Sequence, residues 1–310
     1  MMSHSRCLSE SRACPVCGAT EYMNFADEHI DPERIDDFTY ASRKQPEFMC
    51  LHLVRCVSCD LVYAPNPPDK AFLSGAYADA AYDSSQEARC AARSYARIIA
   101  PYVAGLRDRN VAVDVGAGSG PLLPWLSDMG FKSVIGIEPS RAAINAAPVA
   151  VRAMLREGMF GAELLDGVKP SLICSFMTLE HMEKPDEFMS TAYSLLEPGG
   201  VIAIVVHNWQ GLLNRVLGLR SPIIDVEHLQ LFNPRSINTL LKRVGFEDIN
   251  IKPICNSYPL RYWLRLTPLP LNVKEVIDVA LKKLSLSDTT FPMRVGNILA
   301  IGIKPKKEYM

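Results

Sequence analysis

The sequence has no long hydrophobic run. Mean hydropathy is +0.06, and no stretch approaches the roughly 20 apolar residues that cross a bilayer. The first residues contain no apolar segment of the kind found in secretory signals. We therefore expect a cytoplasmic protein without a membrane span. Because the cytosol keeps thiols reduced, we do not expect the nine cysteines to form disulfides.

The chain also has almost no net charge. Its formal charge of −1 gives no overall signal for binding a polyanion. Acidic side chains outnumber basic ones in residues 1–60, and basic ones predominate in residues 252–310. No nucleic-acid partner is expected. The basic segment is either a solvated surface or part of a site for an anionic substrate.

Four of the cysteines form two close pairs, Cys14 with Cys17 in "CPVCG" and Cys56 with Cys59 in "CVSCD". This spacing lets a tight turn direct both thiolates at one metal ion, and two such turns complete a tetrahedral zinc site. The alternatives are a redox pair and unrelated core cysteines. A redox pair is disfavoured, because two pairs are present and no thioredoxin-like strand and helix follow either one. Because four thiolates leave no open coordination position, we predict structural zinc in a module of residues 1–68.

Beyond this module the predicted helices and strands alternate. A connector and N-terminal helices occupy residues 69–106, and one ligand-binding domain occupies residues 107–310. Such alternation predicts an α/β fold with a parallel sheet covered by helices on both faces. The predicted strands lie near 111–115, 133–137, 171–175 and 201–206, followed by "GFEDINIKPI" and "VGNILAIGIKP". The predicted helices lie near 86–105, 120–129, 140–147, 185–196 and 234–244.

The turn after the first of these strands is rich in glycine. Gly116, Gly118 and Gly120 follow in "VAVDVGAGSG", which differs from the GxGxxG pattern of dinucleotide sites. Asp114 would repel a pyrophosphate and suits a cationic ligand. Glu138 ends the next strand in "VIGIEPS", where a carboxylate accepts hydrogen bonds from a ribose diol. These residues predict a ligand with a ribose, a positive charge and no pyrophosphate, as in S-adenosylmethionine.

The chain resembles the class I S-adenosylmethionine-dependent methyltransferases over roughly residues 70–305. The matching segments are "VAVDVGAGSG", "VIGIEPS", "SLICSFMTLEHMEKPDEFM", "LLEPGGVIAIVVHN", "EHLQLFNPRSINTLLKRVGFE" and "GNILAIGIK". The resemblance implies a Rossmann-like sheet of seven strands. The module with the paired cysteines is similar to the zinc-binding N-terminal extension of some of these enzymes. The cofactor-binding residues that it implies are Tyr82, Asp114, Gly116, Ala117, Gly118, Glu138, Pro139, Met159, Phe160, Met177, Thr178 and Leu179.

Methyl transfer from a sulfonium releases a neutral leaving group, so the enzyme has to align the reactants and, for a hydroxyl acceptor, supply a base. Histidine is the usual base. His228 in "DVEHLQLF" is the first candidate, and His181 in "LEHMEKP" is the second. The alternative role of His181 is to hold its loop by hydrogen bonds. Glu227 and Glu180 are weaker candidates.

Two insertions, residues 208–232 and 256–290, are predicted to cover the acceptor. They carry the aromatic residues Trp209, Tyr258, Tyr262 and Trp263, among others. Such residues hold a sugar ring, a planar substrate or an acyl chain, and they serve equally in a core or a dimer surface. A monomer and a homodimer both stay open.

The expected function is methyl transfer to a small-molecule acceptor, anionic or containing a sugar. O-methylation of a glycan, sugar intermediate or secondary metabolite in a biosynthetic pathway is favoured. The alternatives are C- or N-methylation of a sugar or metabolite, and a non-catalytic zinc-ribbon binding protein with a methyltransferase-like fold. A macromolecular target, ribosomal protein or RNA, is a further alternative.

Overall fold

A computed structural model describes residues 11–36, 38–40, 47–82, 85–165 and 167–306. We number the strands and helices of this part in chain order. The strands are β1 (Tyr22–Ala26), β2 (Leu53–Cys56), β3 (Val62–Tyr63), β4 (Val111–Val115), β5 (Ser133–Glu138), β6 (Leu155–Glu157), β7 (Leu172–Phe176), β8 (Val201–His207), β9 (Gln230–Leu231), β10 (Glu247–Pro253), β11 (Asn256–Pro259), β12 (Thr290–Met293) and β13 (Asn297–Ile303). The helices are α1 (Lys70–Asp79), α2 (Ser85–Ala104), α3 (Leu123–Asp128), α4 (Arg141–Ala146), α5 (Val149–Arg152), α6 (Pro185–Leu195), α7 (Leu212–Leu217), α8 (Pro234–Val244), α9 (Leu260–Arg265) and α10 (Leu271–Lys283).

The main sheet has seven strands in the order β10-β13-β8-β7-β4-β5-β6. β13 runs antiparallel to both of its neighbours, and the other pairs are parallel. The strand order reverses beside β4, because β5 and β6 lie on one side of it and β7 and β8 on the other. The predicted Rossmann-like α/β fold of seven strands is confirmed.

The central strands are buried on both faces, as parallel strands with helices on each side require. Along β7, Ile173 contributes to the core that contains α6 and α8, whereas Leu172 and Cys174 contribute to the core that contains α2 and α3. Successive side chains of a strand point to opposite faces, so the continuous apolar run "LICSF" fills two cores. No helix among the residues described is long and apolar enough to span a membrane.

The four strands predicted in the alternating unit lie within one residue of β4, β5, β7 and β8. α8 begins and ends where it was predicted, because Asn233 forms a capping box with Ser236 and Gly245 follows the helix with a φ of +105°. α3 begins later than predicted, at Leu123, after a turn. The short strands β6, β11 and β12 were not predicted, since none has enough residues for a recognisable period.

A second sheet joins the N-terminal module to the rest of the chain. Its order is β1-β2-β3-β9, and β9 comes from the segment just before α8. Arg12 also connects the N-terminal module to the rest of the chain. It donates hydrogen bonds to the carbonyl oxygens of Ala64, Glu183 and Leu229 and to Oε1 of Gln230. Burial lowers the pKa of Arg12 to about 10, and the guanidinium stays charged at neutral pH.

Candidate active site

A cavity of about 300 Å³ lies at the carboxyl ends of the central parallel strands. In open α/β sheets, ligands bind at this edge, where the strand order reverses. One half of the cavity is formed by the turns after β4 and β5. The other half is formed by the segments that follow β7 and β8 and precede α8, together with β11 and α9.

The glycine turn needs glycine for two different reasons. At Gly116 the φ is +74°, and an added Cβ would lie 2.3 Å from Oγ1 of Thr178, so no side chain fits. At Gly118 the φ is +58°, and an added Cβ would have no atom within 4 Å. The backbone at Gly118 therefore faces open space. A Cβ would occupy part of that space, and without one a ligand can approach the backbone closely.

Glu138 ties this turn to the end of β5. Its Oε2 accepts a hydrogen bond of 2.7 Å from the backbone N–H of Gly118, and its Oε1 accepts one of 2.8 Å from that of Ser140. The side chain is buried, and this burial raises the pKa of Glu138, whereas the two backbone N–H groups oppose the rise. A carboxylate is thus held at the cavity wall between two strand ends.

Other predicted cofactor residues surround the same half. Asp114 is buried at the floor of the cavity. The hydroxyls of Tyr82 and Ser119 lie 2.7 Å apart, so Tyr82 closes over the glycine turn. Met177 adopts a φ of +57°, which is uncommon for a residue other than glycine and marks a constrained turn after β7.

Eleven of the twelve predicted cofactor residues line the cavity; they are Tyr82, Asp114, Gly116, Ala117, Gly118, Glu138, Pro139, Met159, Phe160, Met177 and Thr178. Leu179 does not, because its side chain is fully buried in the core beside the sheet. Leu179 begins a short turn of 3₁₀-helix, and its contact with the cofactor stays a prediction.

Three histidines meet in the other half. The ring centroid of His228 lies 4.8 Å from that of His181 and 5.2 Å from that of His207. His181 follows β7, His207 ends β8, and His228 lies in the segment before β9. The two predicted base candidates are therefore neighbours, although 47 positions separate them in the chain.

Hydrogen bonds define the protonation of two of these rings. Nδ1 of His228 lies 2.9 Å from the carbonyl oxygen of Ile223, and Nδ1 of His207 lies 2.9 Å from Oδ1 of Asn297. Because both oxygens can only accept, each Nδ1 carries a proton, and Nε2 has the electron pair in the neutral ring. Burial lowers the pKa of His207 to about 4, so this ring is neutral at pH 7.

Carboxylates surround the histidines. Oε2 of Glu227 lies 3.5 Å from Nδ1 of His181, and Asp225 lines the cavity nearby. Oε1 of Glu180 accepts a hydrogen bond of 2.8 Å from the backbone N–H of His207, and burial raises the pKa of Glu180 to about 7. The lining residues in the described part of the chain contain no lysine or arginine.

The predicted aromatic lid divides into two parts. Tyr258, Tyr262 and Trp263 line the cavity. Trp209 does not. Its ring packs edge-on against Phe25 at 5.5 Å, and it donates its Nε1–H to a carbonyl in the N-terminal module. Helix α10 contributes no lining residue, so the second insertion covers the cavity only through β11, α9 and the residue that follows α9.

Several lining residues were not predicted. They are Tyr40, Tyr77, Asp225, Asn256 and Asn297, among others. The sequence offered a signal for Asp225 only, since it precedes Glu227 and His228 in "DVEH". Tyr40 and Tyr77 reach the cavity from the N-terminal module and α1, and no local pattern indicates this.

The paired cysteines form a separate cluster that does not line the cavity. Sγ of Cys14 lies 3.5 Å from Sγ of Cys59, and Sγ of Cys17 lies 3.5 Å from Sγ of Cys56. All four sulfur atoms lie within 4.8 Å of one another. Zinc–sulfur bonds of about 2.3 Å give a tetrahedral sulfur–sulfur edge of about 3.8 Å, so the donor set and its spacing fit such an ion.

The strand order, the glycine turn and the carboxylate at the end of β5 define a class I, Rossmann-like methyltransferase domain. A family model described as a methyltransferase domain matches residues 85–251, more than half of the 310 residues. The chain belongs to this methyltransferase family.

Two curated relatives carry different activities in their names. A tRNA U34 carboxymethyltransferase of Idiomarina loihiensis is 26% identical over an alignment of 162 residues that covers 49% of this chain and 50% of the relative. A ubiquinone biosynthesis O-methyltransferase of Rhizobium etli is 26% identical over an alignment of 155 residues that covers 47% of this chain and 58% of the relative. The chain spans about half the length of the curated relatives it matches.

Among solved structures, a SAM-dependent methyltransferase from Archaeoglobus fulgidus is similar with a TM-score of 0.47 and 18% identity. The match covers 69% of this chain and 94% of that one.

Proposed function

We propose that this protein transfers a methyl group from S-adenosylmethionine to a hydroxyl oxygen of a small, uncharged or cationic acceptor, such as a sugar intermediate or secondary metabolite. The observation that carries the proposal is one cavity with two chemically different halves. A glycine turn and two carboxylates form the first, and three histidines form the second.

The first half is suited to hold the cofactor, which when bound supplies an electrophilic methyl group on a positively charged sulfur. Glu138 offers carboxylate oxygens to the ribose hydroxyls. Asp114 provides negative charge on the side of the amino-acid portion, where Gly116 and Gly118 keep the backbone accessible. Met159 and Phe160 line the same cavity. A pyrophosphate would meet the two carboxylates instead of cationic groups.

The second half is suited to act on the acceptor. His228 is the first candidate for the base, because its protonated Nδ1 is engaged by Ile223 and its Nε2 has the electron pair. His181 lies beside it and is oriented by Glu227. Positioned general bases contribute roughly 10²- to 10⁴-fold to a rate, and alignment of the two reactants contributes the remainder.

We also propose that the cysteine cluster binds one structural zinc ion. Four thiolates at tetrahedral spacing leave no position for a substrate. The ion would fix the turns that carry Cys14 and Cys56, and these turns share a core with β4 and β7. Zinc therefore supports the wall of the methyltransferase domain from outside the cavity.

The named relatives suggest different acceptors. The O-methyltransferase supports oxygen as the nucleophile, whereas the tRNA enzyme suggests a nucleic acid. RNA recognition relies on lysine and arginine near the phosphates, and the described lining residues of the cavity include neither. We therefore favour the small molecule.

Calorimetry with S-adenosylhomocysteine tests the cofactor half, and methyl-labelled S-adenosylmethionine with a panel of neutral, cationic and anionic alcohols tests the acceptor half. We expect binding of S-adenosylhomocysteine and labelling of a neutral or cationic alcohol. His228→Ala should lower turnover by about 10²- to 10⁴-fold while leaving S-adenosylhomocysteine affinity unchanged. No binding by the folded protein would refute the proposal, and labelling of tRNA alone would refute the acceptor class.

A further inference from the structure

Three side chains at the histidine end of the cavity form a cluster of metal-ligating type. His181, Glu227 and His228 each place one ligand atom within 4.8 Å of the other two. The cluster is separate from the cysteine cluster and lies on the cavity wall. Glu227 and His228 are buried and His181 is half-buried. An ion with bonds of about 2.1 Å spans donor atoms about 3.4 to 4.2 Å apart, so modest side-chain rotation closes the site.

The hydrogen bonds around the cluster favour ligation by His228. Its Nδ1–H donates to the carbonyl oxygen of Ile223, 2.9 Å away, and Nε2 is the electron-pair donor. Histidine ligands of metals commonly donate their second ring N–H to a backbone carbonyl, which fixes the ring and its tautomer. Ile223 thus provides the outer contact that a ligand histidine requires.

The charge of the surroundings also suits a cation. Glu227 lies in the cluster, and Asp225 lines the same wall. Two carboxylates on one wall give this end of the cavity a negative contribution that favours a cation over an anion.

We propose that His181, Glu227 and His228 bind a divalent transition-metal ion, which in turn binds the hydroxyl oxygen of the acceptor. Two imidazoles and one carboxylate suit Zn²⁺, Fe²⁺ or Co²⁺, whereas Mg²⁺ and Ca²⁺ select oxygen donors. Three protein ligands leave a coordination position for substrate. The inference rests on the proposed function for the place of the acceptor, and it makes His228 a ligand instead of a base.

The ion changes how the acceptor loses its proton. A hydroxyl bound to a divalent ion is far more acidic than a free one, so its proton leaves to solvent and an alkoxide remains. The O–CH₃ bond then forms as the S–CH₃ bond breaks, and the sulfur keeps the bonding electron pair. An alkoxide and a sulfonium become an ether and a thioether, and no oxidant or reductant is involved. The site selects alcohols, above all those with a second oxygen that can chelate the ion.

Cobalt titration of the full chain tests the metal site directly. After dialysis against a chelator, with circular dichroism as a check of the fold, the wild type should take up Co²⁺ in two spectral components. Thiolate charge-transfer bands report the cysteine cluster, and d–d bands without charge transfer report the cavity. Glu227→Gln and His228→Asn should weaken the second component by at least about 100-fold, and Cys56→Ser should remove the first.

His52→Asn is the matched control, because His52 lies outside the cavity and pairs with Asn24; both components should persist. If His228→Asn does not fold, the isosteric Glu227→Gln variant decides. A folded wild type with no component beyond the thiolate site overturns the metal site. If methyl transfer continues in protein that binds no metal ion in the cavity, the base mechanism stays in place. Failure to bind S-adenosylhomocysteine would instead overturn the proposed function and not the metal site.

Discussion

The replacement Glu138→Gln tests the assignment of the cofactor half. The carboxylate accepts backbone hydrogen bonds from Gly118 and Ser140 at 2.7 and 2.8 Å. A carboxamide of the same size keeps one acceptor oxygen, and its NH₂ group faces the other N–H donor. At least one charge-assisted hydrogen bond is lost. Such bonds contribute about 1.5 to 3 kcal/mol, so the glycine turn is held less firmly and the ribose loses a carboxylate acceptor.

Since about 1.4 kcal/mol corresponds to a tenfold change in affinity, the Kd for S-adenosylhomocysteine should rise roughly 10- to 100-fold. Isothermal titration calorimetry measures it, and thermal unfolding reports whether the variant is folded. Glu157→Gln is the matched control. Glu157 ends the neighbouring strand β6, is exposed and pairs with Arg141 at 2.9 Å, so its loss should leave the Kd unchanged. Wild-type affinity in a folded Glu138→Gln protein would refute the ribose assignment.

Four further outcomes are expected. Binding of S-adenosylhomocysteine should weaken as pH falls, because only the ionised form of Glu138 accepts both hydrogen bonds. The weakening should start at a higher pH than for an ordinary glutamate, because burial raises the pKa of Glu138. Glu138→Gln should abolish this pH dependence in calorimetry. Gly116→Ala should lower the free energy of unfolding by at least about 1–2 kcal/mol in urea titration and abolish cofactor binding, since its Cβ meets Thr178; unchanged binding would contradict the turn geometry. Arg12→Ala should cost roughly 2 kcal/mol or more, measured the same way, because the carbonyl oxygens of Ala64 and Glu183 lose the hydrogen bonds that Arg12 donates. Cys56→Ser should lower bound zinc by about one equivalent per chain in elemental analysis, and an unchanged zinc content would exclude the cysteine site.

Much of the fold follows from local patterns. The apolar runs that became β4, β5, β7 and β8 are long enough to be recognised, and glycine, proline or asparagine marks the ends of the helices between them. The glycine turn follows β4 and Glu138 ends β5, and both are visible in the sequence. The half of the cavity that these residues form was therefore predictable as well. Parallel strands bring their carboxyl ends to one edge, and the two signals therefore had to meet.

The acceptor half was less predictable. Trp209 is a large aromatic residue in a predicted lid, but it packs against Phe25 in the N-terminal module. Tyr40 and Tyr77, far from any methyltransferase signature, line the cavity. The basic segment at the end of the chain suggested an anionic acceptor. Two of its cations have partners of their own: Lys304 donates to carbonyl groups at the end of α6, and Arg261 pairs with Asp288.

By itself, the sequence determined the alternating sheet, the turn that exposes its backbone to a nucleoside and the paired thiols, because each depends on residues close together in the chain. Only the tertiary structure decided that His181, His207 and His228 share one wall with Glu227. Those residues come from segments separated by whole helices and strands, and their proximity depends on how the segments before and after β8 pack at the sheet edge. Chemistry that requires several side chains at one point is determined by this packing, which no local spacing encodes.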